Sequence, residues 1–359
     1  LKSKKSKQTQ GFEEIKGLAK KIVLLTGTPI VNNPNDLYCL TQKVKPGALG
    51  HNEFRFAALF SQVKENRWGA TVDGYKNIKD ARSRTSRFSI RRLKEDCLNL
   101  PEKLFEKQYV ELTKDQSEHY IKVVNELQTY LTDNKGNSVD IIIKAAIAML
   151  MRLQQICDGY ISSGQQLAHF ENGGAKYKVL DDLIEELVEK SERQLVIWTR
   201  FVPPIKFMKE RYAKFNPALV YGAVSSVEND NGLSDRDKEI NKFKSGESRL
   251  FIAQTHTAGL GITLTNACYE VMFDRWWSPA VNMQAIDRCH RIGQQHTVII
   301  HDIITTASQD MIKKIGPDIQ TMDEIVQMIN KRKEKISADF IDNEETVEMS
   351  DILAAAGLK

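Results

Sequence analysis

The sequence predicts an α/β fold, with parallel sheets covered by helices, and two observations carry that prediction. From Lys176 to His301, amphipathic helical stretches alternate with short, wholly apolar runs of strand length, the pattern of a parallel sheet whose strands are buried on both faces. Near the start, Ile22-Val23-Leu24-Leu25 reads as another buried strand and runs into Thr26-Gly27-Thr28-Pro29. That tight turn belongs at the carboxyl edge of a sheet, where α/β folds bind ligands.

At 359 residues, 41% hydrophobic and 27% charged, the chain is long enough for two domains with cores of their own. A net charge of +4 is too mild to name a partner, so the distribution of charge matters more than its sum. Cys39, Cys97, Cys157, Cys268 and Cys289 are far apart, odd in number and without a CxxC pair. This argues for an intracellular, reducing compartment and against a disulfide framework or a structural zinc. His290 beside Cys289 reads as packing, since no second ligand pair is in view. The longest apolar run, 141–151, is broken by Lys144 and falls short of the roughly 20 residues that cross a bilayer, so no membrane partner is expected. The opening LKSKKSK is basic with no apolar stretch after it, unlike a signal peptide.

Along the chain, Phe12, Ile15, Leu18 and Ala19 give a helical pattern before the first strand. From 51 to 88 aromatic, glycine and basic residues mix (Trp68, Gly69, Gly74, Tyr75), which suggests an irregular insertion. Arg82, Arg84, Arg87, Arg91, Arg92 and Lys94 follow with no acid among them; such a stripe suits a solvated face or a phosphate backbone. Pro101 marks a boundary by disfavouring helix before it. Helices are expected over 114–131 and 139–157, the second packing through Ile142, Ala145, Ala146, Met149, Leu150, Leu153 and Ile156. The polar, glycine-bearing 164–174, with Gly164 and Gly174 at its ends, reads as an interdomain linker.

The remainder reads as helix 176–190, strand 195–198, helix 204–214, strand 218–221, helix 235–244 and strands 250–253, 271–273 and 298–301. Between two of these strands, the 254–267 loop carries Thr255, Thr257, Gly259, Gly261, Thr263 and Thr265. Glycines allow close approach of backbone amides to an anion, and the threonines add hydroxyl donors. After the 271–273 strand and Asp274, the chain turns through Trp276, Trp277, Ser278 and Pro279, which suits a Ser-capped helix running to about His290. Trp276 and Trp277 suit either stacking on a base or burial against the helix. On that helix Gln284, Arg288 and Arg291 would share one face, and two guanidinium forks on one stripe suit a polyphosphate. Pairing of the same arginines with Asp287 and other carboxylates on a plain surface helix is the alternative. Beyond 306 another helix opens at Ser308-Gln309-Asp310, and a helical, acidic tail closes the chain.

Several strings together resemble the Snf-type (Swi/Snf-like) ATPases, the double-stranded-DNA translocases of helicase superfamily two. Asp287-Arg288-Cys289-His290-Arg291-Ile292-Gly293-Gln294 is similar to their last helicase motif, whereas RNA helicases of the superfamily usually read HRxGRxGR there. LLTGTPIVNNPNDLYCL resembles the coupling motif LTGTPxxN, with Asn32 or Asn33 in the asparagine place. IRRLKEDCLNLPEK resembles RRxKxxVxxxLPxK, and VIWTR resembles the start of LIFSQF. MLMRLQQICDGY resembles LRxxCxHP but carries Asp158-Gly159 for His-Pro. AGLGITLTNA resembles AGGxGLNLTxA but carries Ile262-Thr263 for Leu-Asn.

The resemblance implies RecA-like lobes: the end of the first with helical insertions over 1–112, a helical brace over 113–163, the linker, a complete second lobe over 175–318, and the tail over 319–359. It implies Arg288 and Arg291 as catalytic arginines at the γ-phosphate of ATP. Thr26, Gly27, Thr28, Gly259, Gly261, Gln284 and Asp287 would serve nucleotide binding and coupling. Arg84, Arg87, Arg91, Arg92, Thr255, Thr257, Thr263 and Trp277 would hold duplex DNA, alone or in a DNA-bound protein complex. A phosphate loop GxxxxGK[ST] and a DEAH-type box, which supply the lysine, the Mg2+ ligand and the water-activating glutamate, are absent from the sequence. Leu1-Lys2-Ser3 resembles the residues just after that box, so this chain alone is expected not to hydrolyse ATP. A DNA- or protein-binding module without ATP turnover is the alternative.

Overall fold

Short polar caps delimit the first helices. Ser6 accepts the N–H of Thr9 at the start of α1 (Lys7–Ile15), α2 (Asn35–Val44) follows Pro34, and Asn52 accepts the N–H of Arg55 at the head of α3 (Glu53–Phe60). The computed structural model describes residues 1–2, 6–30, 34–66, 69–92, 94–133, 139–163, 166–227, 232–258 and 261–341. It forms two units, a smaller one built on Leu1–Cys97 and a larger one built on Leu98–Trp277 and Val281–Gln327.

In the smaller unit Tyr38, Cys39, Leu49, Phe56, Phe60 and Ala81 make the core. The 51–88 stretch is more regular than its composition suggests. After α3, β1 (Ser61–Asn66) and β2 (Gly69–Tyr75) pair as an antiparallel hairpin, followed by α4 (Ile78–Ser86) and a short α5 (Lys94–Cys97). The hairpin is a sheet of two strands only, and its paired Val63 and Val72 stay exposed, so this apolar pair marks no inward face that could be read. Trp68 lies outside the described residues. The strand expected at 22–25 does not form, and Val23 and Leu25 are 80% and 94% exposed. An apolar run becomes a strand where a neighbour takes up its backbone groups, and among the described residues none pairs with it.

The larger unit opens with β3 (Lys103–Glu111), then α6 (Lys114–Asp133), α7 (Val139–Cys157), β4 (Tyr160–Ser163) and β5 (Gln166–His169). It continues with α8 (Ala175–Ile184), β6 (Leu195–Thr199), α9 (Val202–Arg211), β7 (Ala218–Val220), α10 (Asp235–Lys244), β8 (Leu250–Gln254) and the single turn α11 (Thr255–Ala258). It ends with β9 (Tyr269–Met272), α12 (Pro279–Ile286), β10 (Val298–Thr306), α13 (Gln309–Ile315) and the start of α14 (Met322–Ile341), whose residues from Met328 belong to the smaller unit. Six strands lie in the order β3-β10-β9-β6-β8-β7, every pair parallel. Alternate residues serve opposite cores: Leu195 and Ile197 of β6 pack with Leu180, Ile205 and Val271, while Val196 and Trp198 pack with Phe251, Met272 and Ile300. This two-sided burial explains why these strands read as unbroken apolar runs.

Two boundaries differ from expectation. Residues 103–111, placed at the end of the first lobe, form the edge strand beside β10; an edge strand with one partner keeps Leu104, Phe105 and Tyr109 exposed and lacks the buried signature. Within the stretch expected as a linker, residues 166–174 are folded against their neighbours. Gly164 is outside the described residues, but β5 pairs with β4, and Gln116 ties the helical brace to the turn that follows by receiving the N–H of Ala175 (2.9 Å) and donating to the carbonyl of Ile156 (2.6 Å). Gly159 sits at φ +85°, where an added Cβ would stand 1.6 Å from the carbonyl oxygen of Gly173, a separation only glycine permits.

A buried charge fastens these parts. The ammonium of Lys176, fully buried on α8, meets Asp158 after α7 at 2.7 Å, the carbonyl of Phe273 after β9 at 2.7 Å and Asp323 on α14 at 2.9 Å. The expected tail therefore begins inside the lobe: Asp323 also receives the N–H (3.0 Å) and hydroxyl (2.8 Å) of Thr305. The acidic end, 342–359, lies outside the described residues.

Candidate functional site

The carboxyl edge of the parallel sheet gathers most of the polar groups singled out by sequence. β6 ends on Thr199 and Arg200, and β9 leads into Asp274. The Thr199 hydroxyl donates to one oxygen of Asp274, and the Arg200 N–H donates to the other at 2.7 Å. Burial pushes the Asp274 carboxyl up, against the pull of Lys176, Thr199 and Arg200.

The Arg200 guanidinium lies 4.6 Å from the centre of the Trp276 ring and donates to Gln154 at 2.8 Å. Trp277 donates its indole N–H to the same Gln154 oxygen at 3.0 Å, and Gln154 donates to the carbonyl of Arg275 at 3.0 Å. Both tryptophans are half-buried, and the polar end of Trp277 is oriented by the brace helix α7. Gln154 and Arg200 were given no role from sequence. The signal was present in Gln154, a polar residue beside Leu150, Leu153 and Ile156 on an apolar helix, and fully buried.

The arginine segment differs from the expected continuous helix. α12 stops at Ile286, and 287–291 continues in tight turns, so Gln284, Arg288 and Arg291 do not share one helical stripe. The bonds tighten there, the N–H groups of Arg288 and Cys289 reaching back three residues to Ala285 and Ile286, and a competing donor holds the turn: the Arg288 carbonyl takes the N–H of Leu264 at 2.9 Å and is not available to a helical ladder. The turn is pinned from several sides. Cys289 is fully buried, His290 Nε2 meets the Pro101 carbonyl at 2.7 Å, and Asp287 pairs with Lys103 at 3.4 Å. The amide of Gln294 donates to the carbonyls of Ala267 (2.8 Å) and Cys289 (3.1 Å), and Gly293 adopts φ +105°. Gln294, part of the motif string, is therefore a staple behind the loop.

These anchors leave Arg288 half-buried and Arg291 exposed. Burial, then the neighbouring charge of Arg291, lowers the Arg288 pKa, with Asp287 opposing. Two guanidiniums that repel one another form a place that an anion with several oxygens stabilises, so the residues fit a polyphosphate. Among the described residues no group of three or more His, Cys, Asp or Glu side chains is arranged to hold an ion.

In the 254–265 loop, Arg291 donates to the Thr263 hydroxyl at 3.0 Å and the Thr257 hydroxyl donates to Gln254 at 3.0 Å. Thr263 thus joins the arginine loop. Thr255 does not belong with exposed hydroxyls, because its side chain is buried in the first turn after β8. Gly261 has φ +84° with open space around it, and Gly259 lies outside the described residues.

In the smaller unit Thr26 and Gly27 are exposed in a turn closed by the Thr28 N–H on the Thr26 hydroxyl at 3.1 Å. Lys2 reaches the carbonyl and hydroxyl of Thr28, and burial lowers its pKa against the charge of Asp36. Asn32 and Asn33 fall outside the described residues. Arg84 is held in a two-point pair with Asp80 at 2.8 Å and lies over the Phe60 ring, whereas Arg87, Arg91 and Arg92 are exposed.

Residues 1–160 match the SNF2-related domain and residues 175–293 the helicase conserved C-terminal domain. The chain belongs to the Snf2-type helicase family. A Bacillus subtilis relative, YwqA, whose name is that of an ATP-dependent helicase/translocase, is 30% identical over 92% of this chain and 35% of its own length. The human SWI/SNF-related matrix-associated actin-dependent regulator of chromatin subfamily A member 1 is 27% identical over 85% of this chain and 28% of its own length. This Snf2-type chain thus spans about a third of the curated relatives it matches. Among solved structures, the Sulfolobus solfataricus SWI2/SNF2 ATPase core in complex with dsDNA is 25% identical, covering 100% of this chain and 71% of that one, with a TM-score of 0.48. Among the described residues no helix of the Snf2-type chain is long and apolar enough to cross a membrane.

Proposed function

We propose that this chain supplies the second lobe and the end of the first lobe of an ATP-dependent translocase on double-stranded DNA, working in a reducing, intracellular compartment. The observation that carries the reading is the arginine turn, in which the charges of Arg288 and Arg291 lie close enough to act on one another while His290, Gln294 and the Arg288 carbonyl are tied down. A transferring γ-phosphoryl group spreads negative charge over its outer oxygens, and fixed guanidinium forks stabilise it without reorganising. Asp287 and Gln284 orient the turn, Gly261 leaves the facing loop open to close approach, and Thr26 to Thr28 couple nucleotide state to DNA. ATP supplies the free energy, and its Mg2+ would be held, as in the family resemblance, by an acidic box of the DEAH type together with the phosphates. Without a GxxxxGK[ST] lysine and a DEAH-type box in the sequence, the chain alone binds DNA but does not turn over ATP.

Duplex DNA is held through its phosphates, without base readout. Arg87, Arg91 and Arg92, with Thr257, Thr263 and Trp277, are the contacts proposed; Arg84, its charge offset by Asp80, is the weaker one. Binding of this chain to a duplex tests the stripe. The Arg87→Glu/Arg91→Glu variant is expected to flatten the plot of log affinity against log salt by about 2, since each phosphate contact contributes a slope of about 0.9. An unchanged slope returns the stripe to solvated surface.

A further inference from the structure

Beneath the arginine turn the core contains an acid that the mechanism does not use. Glu270 is the second residue of β9, paired in register with Val196 of β6 and Ile300 of β10, and its side chain is completely buried. It faces the core built by Val196, Trp198, Met272, Ile286, Cys289 and Ile300. One carboxyl oxygen accepts the indole N–H of Trp198 at 2.5 Å. The other is buried with no well-aligned partner, and the group beside it is the thiol of Cys289, which sits between Arg288 and His290.

We propose that Glu270 is a positioning residue for the arginine turn: as a neutral acid it holds Cys289, and with it the backbone of Arg288 and Arg291, and its ionisation loosens the turn. An ionised carboxylate offers several acceptor sites, and here one oxygen has the Trp198 N–H while the other has only the weakly donating Cys289 thiol beside it. In an apolar core that form is strongly disfavoured. The neutral acid needs less. One oxygen takes the Trp198 N–H and the other carries a proton toward the Cys289 sulfur.

The surrounding charges do not reverse this. Burial raises the carboxyl from its ordinary 4.5 to about 8, Trp198 and Cys289 oppose the shift, Asp287 adds to it and Lys103 subtracts. The thiol of Cys289 is itself pushed up by burial and then by Glu270, with Cys268 adding to it, so it stays protonated over the same range. Of the ionisable neighbours, Asp287 and Lys103 pair with each other at 3.4 Å, and His290 is bonded to Pro101. The pH dependence has a fixed sign. With the folded value above the unfolded one, Glu270 contributes stability that is fully present below about 4.5 and is lost as pH rises to about 8.

The catalytic meaning rests on the arginine reading above; the coupling of proton state to loop order does not. The test is backbone hydrogen exchange at 286–294 in this chain from about pH 6.5 to about pH 9.5, corrected for intrinsic rates and referred to amides of β8. The expected result is a loss of loop protection of about tenfold or more as pH passes about 8, with β8 unchanged. Glu270→Gln, neutral at every pH, abolishes the step. Glu270→Val, an apolar strand former, keeps the test open if the amide does not fold, and its loop shows one low, pH-independent protection. A wild-type loop with constant protection, or the same step in either variant, overturns the proposal. ATP turnover enters neither outcome, so failure of the arginine reading is seen separately.

Discussion

Replacing Arg288 or Arg291 by alanine is expected to lower duplex-stimulated ATP turnover about 10³-fold or more, in a protein that joins this chain to an upstream phosphate loop and acidic box. That is the scale of losing a catalytic arginine. The effect belongs in kcat, because the guanidinium interacts most strongly with charge that develops in the transition state. Arg291 gives the cleaner test. Its side chain is exposed and its described bond is to the Thr263 hydroxyl, so its removal leaves stability within about 0.5 kcal/mol and a lost rate cannot be blamed on unfolding. Arg288 is half-buried, and its alanine variant needs a melting control. Arg291→Lys retains charge but not the planar fork and is expected to recover only part of the rate. Steady-state turnover within about threefold of wild type removes the catalytic role from the residue tested.

The second large effect is structural. Lys176→Met keeps the length of a fully buried side chain and removes the charge that faces Asp158 and Asp323. Asp274 also acts on it, and the combined carboxylates raise its pKa against the cost of burial. Removing one partner of a buried ion pair costs about 3–5 kcal/mol, because the other charge is left uncompensated. Burial already pushes the Asp158 and Asp274 carboxyls up. The loss is therefore largest at neutral and alkaline pH and shrinks as pH falls and the carboxylates take up protons. Denaturant unfolding followed by tryptophan fluorescence reads this, since Trp198, Trp276 and Trp277 all lie in the larger unit. Adding Asp158→Asn is expected to restore part of the stability. A loss below about 1 kcal/mol in Lys176→Met would show that the cluster is solvated or neutral.

The sequence made the larger unit legible where burial is two-sided. β6, β8, β9 and the start of β10 are flanked by strands and helices on all sides, so their composition alone identifies them. β3 escaped because it is an edge strand reached by pairing with a segment almost two hundred residues away, which no local pattern encodes. The 22–25 run shows the converse: a strand-like composition without a pairing neighbour stays extended and exposed. The conformation of 166–174 was not legible, because polar, glycine-rich composition marks a tight hairpin and turn as readily as a free connection.

At the candidate site, the identity of the arginines was legible but their geometry was not. Helical spacing cannot anticipate that the backbone tightens after Ile286 and that the N–H of Leu264, from another loop, takes the Arg288 carbonyl. For the same reason Gln154, Arg200 and Lys103, whose importance lies in what the fold brings beside them, went unassigned, while Thr255 was offered to DNA although its hydroxyl is buried.

The central claim is that these lobes belong to a motor driven by ATP and stimulated by duplex DNA. The most direct measurement is ATP turnover of the protein carrying an upstream phosphate loop and acidic box, without nucleic acid, with duplex DNA and with RNA. Stimulation by duplex DNA alone is the predicted result. Absence of turnover under all three conditions, with duplex binding retained, would contradict it and make the chain a binding module whose Arg288 and Arg291 hold backbone phosphates or structure.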